Sequence, residues 1–240
     1  MLPGAASLSR LLVWAYWLVA ALYIVGVLLG WGGRLNPVAA ILLLPILAAY
    51  MWLKAAHKEQ LETRLLLGAL LMGTLCDATV ELTQYDMAYY GYMIYVRTAE
   101  YILLSVVFLL EVNRGKGPSF IRRSPWVLAW LGILAFIILW LTWRNLEALR
   151  VTILTNLATL LLLNIAIVNR LRSATEQSFL WTLAGVVVFD VSNALAAVTH
   201  FLYPIPYALA LIQLTYALAH YWLVRGFLLQ QKEERALVDI

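Results

Sequence analysis

Charged side chains are scarce in this sequence of 240 residues. Asp, Glu, Lys and Arg make up 12% of the chain, and hydrophobic residues make up 64%. An ordinary soluble domain carries about 25% charged and about 45–50% apolar residues. The composition therefore excludes an ordinary soluble globular protein and indicates a polytopic membrane protein. Cysteine is nearly absent as well, and with Cys76 alone no intramolecular disulfide can form.

The basic residues are not grouped as a nucleic-acid-binding surface would require. The formal net charge is +4, but most Lys and Arg residues stand in short segments between apolar blocks. In a membrane protein such residues set the orientation of insertion. We therefore expect a membrane environment and no nucleic-acid partner.

Long apolar blocks cover most of the chain. About 20 mostly apolar helical residues cross the roughly 30 Å hydrocarbon core of a bilayer. Eight blocks come near that length, at 11–31, 37–53, 65–82, 88–110, 126–143, 146–168, 179–202 and 207–229. The connections between them are short, so no extramembrane domain fits. We predict an all-α polytopic membrane protein, with a single domain over residues 1–240 that is a bundle of eight transmembrane helices.

The distribution of basic residues predicts the orientation of this bundle. Eight spans place both termini on one side of the membrane. That side then carries thirteen of the 17 Lys and Arg residues, the opposite side carries three, and Arg97 lies inside a span. Because loops rich in Lys and Arg stay in the cytoplasm, we expect cytoplasmic termini and location in the cell membrane.

Five ionisable residues fall inside the predicted spans, at Asp77, Glu81, Arg97, Glu100 and Asp190. Each such group costs roughly 2.5 kcal/mol or more at mid-span, so it usually faces the interior of the bundle and marks a functional site. We therefore expect the five to surround a polar pocket.

The spacing of the polar residues supports this pocket. Residues three or four positions apart share one face of a helix, and several spans repeat that spacing, with Thr74, Asp77, Glu81 and Gln84, with Asp190, Asn193 and His200, and with Gln213, Tyr216 and His220. Lipid cannot satisfy these groups, whereas facing one another across a bundle does.

The balance of charge in the pocket predicts its chemistry. If every group were ionised, four carboxylates would face the single Arg97, and burial of that excess negative charge is very costly. We expect at least one acid to stay protonated near neutral pH while another, beside Arg97, stays ionised. A proton donor next to an anion is an arrangement for general-acid catalysis.

Other interpretations stay open for several of these residues. Arg97 and Glu100, at i and i+3, can simply neutralise one another within their helix. Glu81 can extend to the membrane surface, and His220 with Tyr216 can form an interhelical hydrogen-bonded pair. Asp77 and Asp190 are too short for such roles. The sequence also lacks the spacings of His and Cys that are typical of metal sites, so we expect no metal and no cofactor.

Three stretches of the sequence carry a family resemblance. Residues 68–77 (GALLMGTLCD), 188–196 (VFDVSNALA) and 215–224 (TYALAHYWLV) are similar to segments of the YhhN or lysoplasmalogenase family of eight-span membrane proteins. Members of known activity hydrolyse the vinyl ether bond of lysoplasmalogens, which yields a fatty aldehyde and a glycerophospho-alcohol. The resemblance implies such a hydrolase here, with a single-chain lipid that enters from the bilayer as substrate.

Two intramembrane aspartates are thought to carry the family's chemistry. The first corresponds to Asp77, whereas Asn193 stands at the position of the second. Asp190 lies one turn before Asn193, and we expect it to take that role, so that Asp77 and Asp190 are the candidate catalytic residues. The candidate substrate-binding residues are Glu81, Arg97, Glu100, Asn193, Tyr216 and His220.

Two other functions stay open. Buried carboxylates also serve as proton relays, so the chain could be a proton-coupled transporter, or a non-enzymatic binder of a lipid or small molecule. The sequence does not determine the oligomeric state.

Overall fold

The computed structural model describes residues 3–30, 35–83, 88–114 and 126–238. Within these ranges the chain forms eight α-helices and no strand. The helices are α1 Pro3–Leu28, α2 Leu35–Lys54, α3 Leu61–Thr83, α4 Ala88–Arg114, α5 Trp126–Thr142, α6 Arg150–Asn169, α7 Glu176–Phe201 and α8 Ala208–Val238.

Six of the described helices, α1 to α4, α6 and α7, are long and apolar enough to cross a membrane. The all-α prediction is confirmed for the described residues, and these six helices support a membrane protein with several spans. Helix α5 has only 17 residues, and α8 carries polar and charged residues over its second half. The count of eight spans, the cytoplasmic termini and the single domain stay predictions.

The helix ends differ from the apolar blocks where polar residues control the backbone. Helix α7 begins before residue 179, because the hydroxyl of Thr175 accepts a hydrogen bond from the backbone N–H of Ser178 and caps the helix. Helix α8 continues beyond residue 229, since residues that favour helices follow the apolar block and Gln230 donates to Glu234 at 2.9 Å. Helix α6 starts at Arg150, after two short 3-10 turns, rather than at 146.

The helices pack as a closed ring. Helices α1, α2, α3 and α4 contact one another in chain order, α4 contacts α6, and α6, α7 and α8 follow until α8 meets α1. Helix α5 contacts α6 and α7. The ring therefore brings α3 and α4, from the first half of the chain, close to α7 and α8, from the second half.

Two antiparallel pairs fix the register around the site. In the α3–α4 pair, the side chain of Asp77 meets that of Arg97, and Gly68 lies beside Leu103. In the α7–α8 pair, Ser192 donates to the carbonyl of Ile212 at 3.1 Å.

Glycine sets the close approach in the second pair. A Cβ atom added to Gly226 would lie 2.8 Å from the carbonyl oxygen of Ser178 and 2.5 Å from a methyl carbon of Thr182. A Cβ atom at Gly185 would meet the backbone of α8 at Leu223 and Ala219. Small residues let membrane helices pack backbone to backbone, and both glycines meet this requirement.

Arg170 is buried at one end of the bundle. We expected it in a basic connection, but its side chain is fully enclosed. Its Nη2 donates to the hydroxyl of Ser178 at 2.9 Å, its Nη1 donates to Thr182, and its Nε lies 2.8 Å from a carboxylate oxygen of Glu111. The guanidinium also stacks on the ring of Phe108. This arginine joins α4 to α7 as part of the core.

Candidate functional site

A partly open cavity of about 330 Å³ lies among helices α3 to α8, and α1 and α2 contribute one wall residue each. Its volume is at the lower end of the range of ligand pockets. Apolar side chains form most of the wall, and the following polar or hydroxyl-bearing side chains interrupt them: Tyr23, Asp77, Tyr90, Arg97, Thr142, Asn156, Asn164, Asp190, Ser192, Asn193, Thr199, His200, Gln213 and Tyr216.

Asp77 is held on the wall from two sides. Arg97 Nη2 on α4 lies 3.4 Å from its Oδ1, and the hydroxyl of Tyr216 on α8 donates to its Oδ2 at 3.3 Å. Arg97 Nη1 also donates to the Tyr216 oxygen at 2.9 Å, and the guanidinium lies over the Tyr216 ring. The carboxylate is thus fixed beside a cation, and each of its two oxygens accepts a hydrogen bond.

Glu100 contacts Arg97 but does not line the cavity. Its Oε2 accepts from Arg97 Nη1 at 2.7 Å, and its Oε1 lies 2.7 Å from His220 Nε2. A Cβ atom at Gly73 would come within 2.9 Å of this carboxylate. The glycine of α3 therefore provides the space that Glu100 occupies.

The hydrogen bonds of His220 determine the charge of this cluster. Its Nδ1 lies 3.0 Å from the carbonyl of Tyr216, which can only accept, so Nδ1 carries a proton. One further proton lies between Nε2 and Glu100, and the pair is neutral whichever atom holds it. With Asp77 as a carboxylate and Arg97 as a cation, the charges of the four ionisable groups balance.

Asp190 has a different environment. Its Oδ1 accepts from Asn164 Nδ2 at 3.1 Å, and Asn164 also donates to the carbonyl of Leu160. Among the described residues, no cation forms an ion pair with Asp190. The two aspartates therefore line one cavity from α3 and α7, but Asp77 alone has a cationic partner in the part of the chain that is described.

Asn193 is oriented by its neighbours. The hydroxyl of Tyr101 donates to its Oδ1 at 2.5 Å, and its Nδ2 donates to the carbonyl of Phe189 at 2.8 Å. Both ends of the amide are thus engaged, and the side chain forms a fixed part of the wall.

The model of the YhhN family matches residues 35–227. This range covers most of the chain and every residue of the cavity wall except Tyr23. The chain belongs to the YhhN family. No curated protein and no solved structure matches it.

The structure of this YhhN protein brings together most of the residues that the sequence singled out. Asp77, Arg97, Asp190, Asn193 and Tyr216 line the same cavity. Glu100 and His220 do not line it but support Arg97 and Tyr216 from behind. The side chain of Glu81 lies outside the described residues, as does Gln84. The catalytic and binding roles of these residues stay predictions.

Asn164 and Tyr101 are among the residues of the site that sequence reasoning missed. Asn164 is the single polar residue in the apolar stretch 160–168 of α6, and this isolation was a signal that could have pointed to a partner such as Asp190. Tyr101 directly follows Glu100, but nothing in the sequence connects it to Asn193. In the described part of the chain, no group of three or more His, Cys, Asp or Glu residues could hold a metal ion.

Proposed function

We propose that this YhhN protein is a membrane-embedded hydrolase that cleaves the vinyl ether bond of lysoplasmalogen-type lipids. The observation that carries the proposal is the pair of aspartates on one cavity wall, of which only Asp77 lies beside a cation in the described structure. Membership in the YhhN family, which is associated with lysoplasmalogenase activity, supports the same reaction.

The environments of the two aspartates support different roles for them. Because Asp77 lies beside the Arg97 cation, we take it to be the anion. Ionisation of Asp190 would add an uncompensated charge to a largely apolar cavity, which is costly. Asp190 therefore serves as the neutral acid that donates a proton, and Asp77 is the anion that stabilises a developing positive charge.

The chemistry follows from these roles. Asp190 transfers its proton to the alkenyl carbon that is not bonded to the ether oxygen, and an oxocarbenium ion forms that Asp77 stabilises. Water adds to the oxocarbenium carbon and returns a proton to Asp190. The resulting hemiacetal breaks its bond to the glycerol oxygen, which takes up the hydroxyl proton. The sum is one vinyl ether and one water converted to one aldehyde and one alcohol.

Arg97 has a supporting role in this scheme. Its guanidinium is bonded to Asp77, Glu100 and Tyr216, which leaves it poorly placed to hold a phosphate group as well. We assign Arg97 to the positioning of Asp77. Glu100 and His220 in turn position Arg97, and Asn193 offers a fixed amide beside the reacting group.

The test uses purified protein in detergent and a vinyl-ether lysolipid, with the saturated alkyl ether as control. In heavy water, the proposed proton transfer places one deuterium on the carbon next to the aldehyde group. We expect aldehyde from the vinyl ether alone, and a loss of about 10²–10⁴-fold in rate for Asp190→Asn, the usual contribution of a general acid. Asp77→Asn should be similarly impaired.

A matched control is available in Glu62→Gln. Glu62 is a buried acid paired with Arg114 at 2.7 Å and does not line the cavity, so this variant should keep its activity. The hydrolase proposal is wrong if a folded protein releases no aldehyde. If the same protein instead moves protons or solutes across liposomes, the transporter interpretation takes its place.

A further inference from the structure

Gln213 has an amide nitrogen on the cavity wall that lacks a partner in the described structure. It lies on α8 with 9% of its surface exposed, and it lines the cavity. Its Nε2 atom is buried and has no hydrogen-bond partner among the described residues. An amide N–H that is buried without a partner is unfavourable and is rare in folded proteins, so this side chain calls for an explanation.

The other amides of the wall provide a contrast. Asn164 donates to Asp190, Asn193 donates to Phe189, and Asn156 donates to the hydroxyl of Thr98 at 3.0 Å. Each of these three amides thus has a hydrogen-bond partner. On the described part of the cavity wall, two buried polar atoms have none, the hydroxyl oxygen of Thr199 and Nε2 of Gln213. Of the two, Gln213 is the amide and lies one helical turn from Tyr216, so its N–H is the donor available to a ligand there.

The position of Gln213 relates it to the proposed chemistry. It precedes Tyr216 by three residues, which is about 4.5 Å along the helix axis and on the same face. Tyr216 in turn donates to Asp77. A ligand acceptor at this point of the wall would lie next to the Tyr216–Asp77 hydrogen bond.

We propose that the Gln213 amide donates a hydrogen bond to the free hydroxyl at the second glycerol carbon of a single-chain ether lipid. This inference rests on the proposed function. The hydroxyl lies a few bonds from the ether oxygen, a separation that fits one helical turn. An acyl group at that position removes the hydroxyl and adds bulk, so Gln213 selects lipids with one chain over lipids with two.

The experiment measures binding rather than turnover. Short-chain lysolipids with a saturated alkyl ether, which cannot be hydrolysed by this route, are titrated into the intact protein in detergent. One analogue has the hydroxyl at the second carbon and the other has hydrogen there. We expect the wild type to bind the hydroxyl form about tenfold more tightly, the usual upper contribution of one hydrogen bond, and Gln213→Met to bind both alike.

Two controls keep this outcome interpretable. Leu214→Met makes a similar substitution at the adjacent residue, which is exposed and does not line the cavity, and it should keep the preference. Gln213→Met should unfold at an unchanged or higher temperature, because it removes a buried donor that has no partner.

The binding experiment tests the role of Gln213 independently of the hydrolase proposal. If Gln213→Met keeps the tenfold preference, or if the wild type has none, the inference is wrong even when aldehyde is released. If the preference depends on Gln213 but no vinyl ether is cleaved, the binding inference stands and the hydrolase proposal fails.

Discussion

Substitution of the two aspartates by asparagine should affect stability unequally. In the proposed roles Asp77 is an anion, and Asp77→Asn removes it from a buried cluster whose charges balance, which leaves one excess positive charge at Arg97. Asp190→Asn removes a group without a cationic partner in the described structure, and the new amide oxygen can still accept from Asn164. The roles proposed for the two acids therefore predict a difference that needs no substrate to be seen.

The size of the difference follows from the geometry. At 3.4 Å between Arg97 Nη2 and Asp77 Oδ1, an effective dielectric constant of about 20 gives an attraction of about 5 kcal/mol. Part of this is offset because the carboxylate no longer has to be desolvated, and loss of one partner of a buried ion pair costs about 3–5 kcal/mol. We expect about 3 kcal/mol for Asp77→Asn and less than about 1 kcal/mol for Asp190→Asn.

Thermal unfolding in one detergent measures both values. For a chain of this size each kcal/mol shifts the Tm by about 2–4 °C, so Asp77→Asn should unfold about 6–12 °C below the wild type while Asp190→Asn stays close to it. Equal losses in the two variants would refute the reasoning, because they would mean that Asp190 is also held as a paired anion.

Three further substitutions, two of them with a matched control variant, test the packing of the helices and the cavity wall. Arg170→Met should lower the free energy of unfolding by about 3–5 kcal/mol, because Glu111 stays buried without its cation. Arg172→Met, at an exposed neighbouring site, should change it little, and chemical or thermal unfolding distinguishes the two variants. Gly226→Ala should be strongly destabilising, because the new methyl group meets the backbone of α7. In Gly132→Ala the methyl group meets no neighbouring atom of the described residues, so this variant should be neutral or slightly stabilising. Purification yield and Tm measure both effects. Tyr101→Phe should cost about 1 kcal/mol through the lost bond to Asn193, and it should raise the KM of the vinyl-ether substrate if Asn193 contacts that substrate.

Five polar residues of the cavity wall could be predicted from the sequence. The high cost of ionisable groups in lipid pointed to Asp77, Arg97 and Asp190, and helical spacing added Asn193 and Tyr216. All five line one cavity. The prediction works here because a bilayer leaves such groups few positions other than the interior of a bundle.

Spacing along a helix was a poorer guide to which groups reach the cavity. Arg97 and Glu100 share one face of α4, but the long arginine side chain extends to the wall while Glu100 turns toward His220 in the space left by Gly73. These directions depend on the neighbouring helices α3 and α8. A single sequence does not specify which helices will be neighbours.

Hydropathy was likewise limited in what it predicted about charges and helix ends. It marks residues that lipid favours, so it could not show that α8 continues to Val238. It also assigned Arg170 to a connection, because the partner that permits burial, Glu111, comes from a helix distant in the sequence.

The hydrogen bonds around Arg97 have a consequence for the order in which the site can form. Asp77, Arg97 and Glu100 belong to two helices that are adjacent in the sequence, α3 and α4. Their partners Tyr216 and His220 come from α8, more than a hundred residues later. The site is therefore completed only when the last helix packs against an earlier helical hairpin.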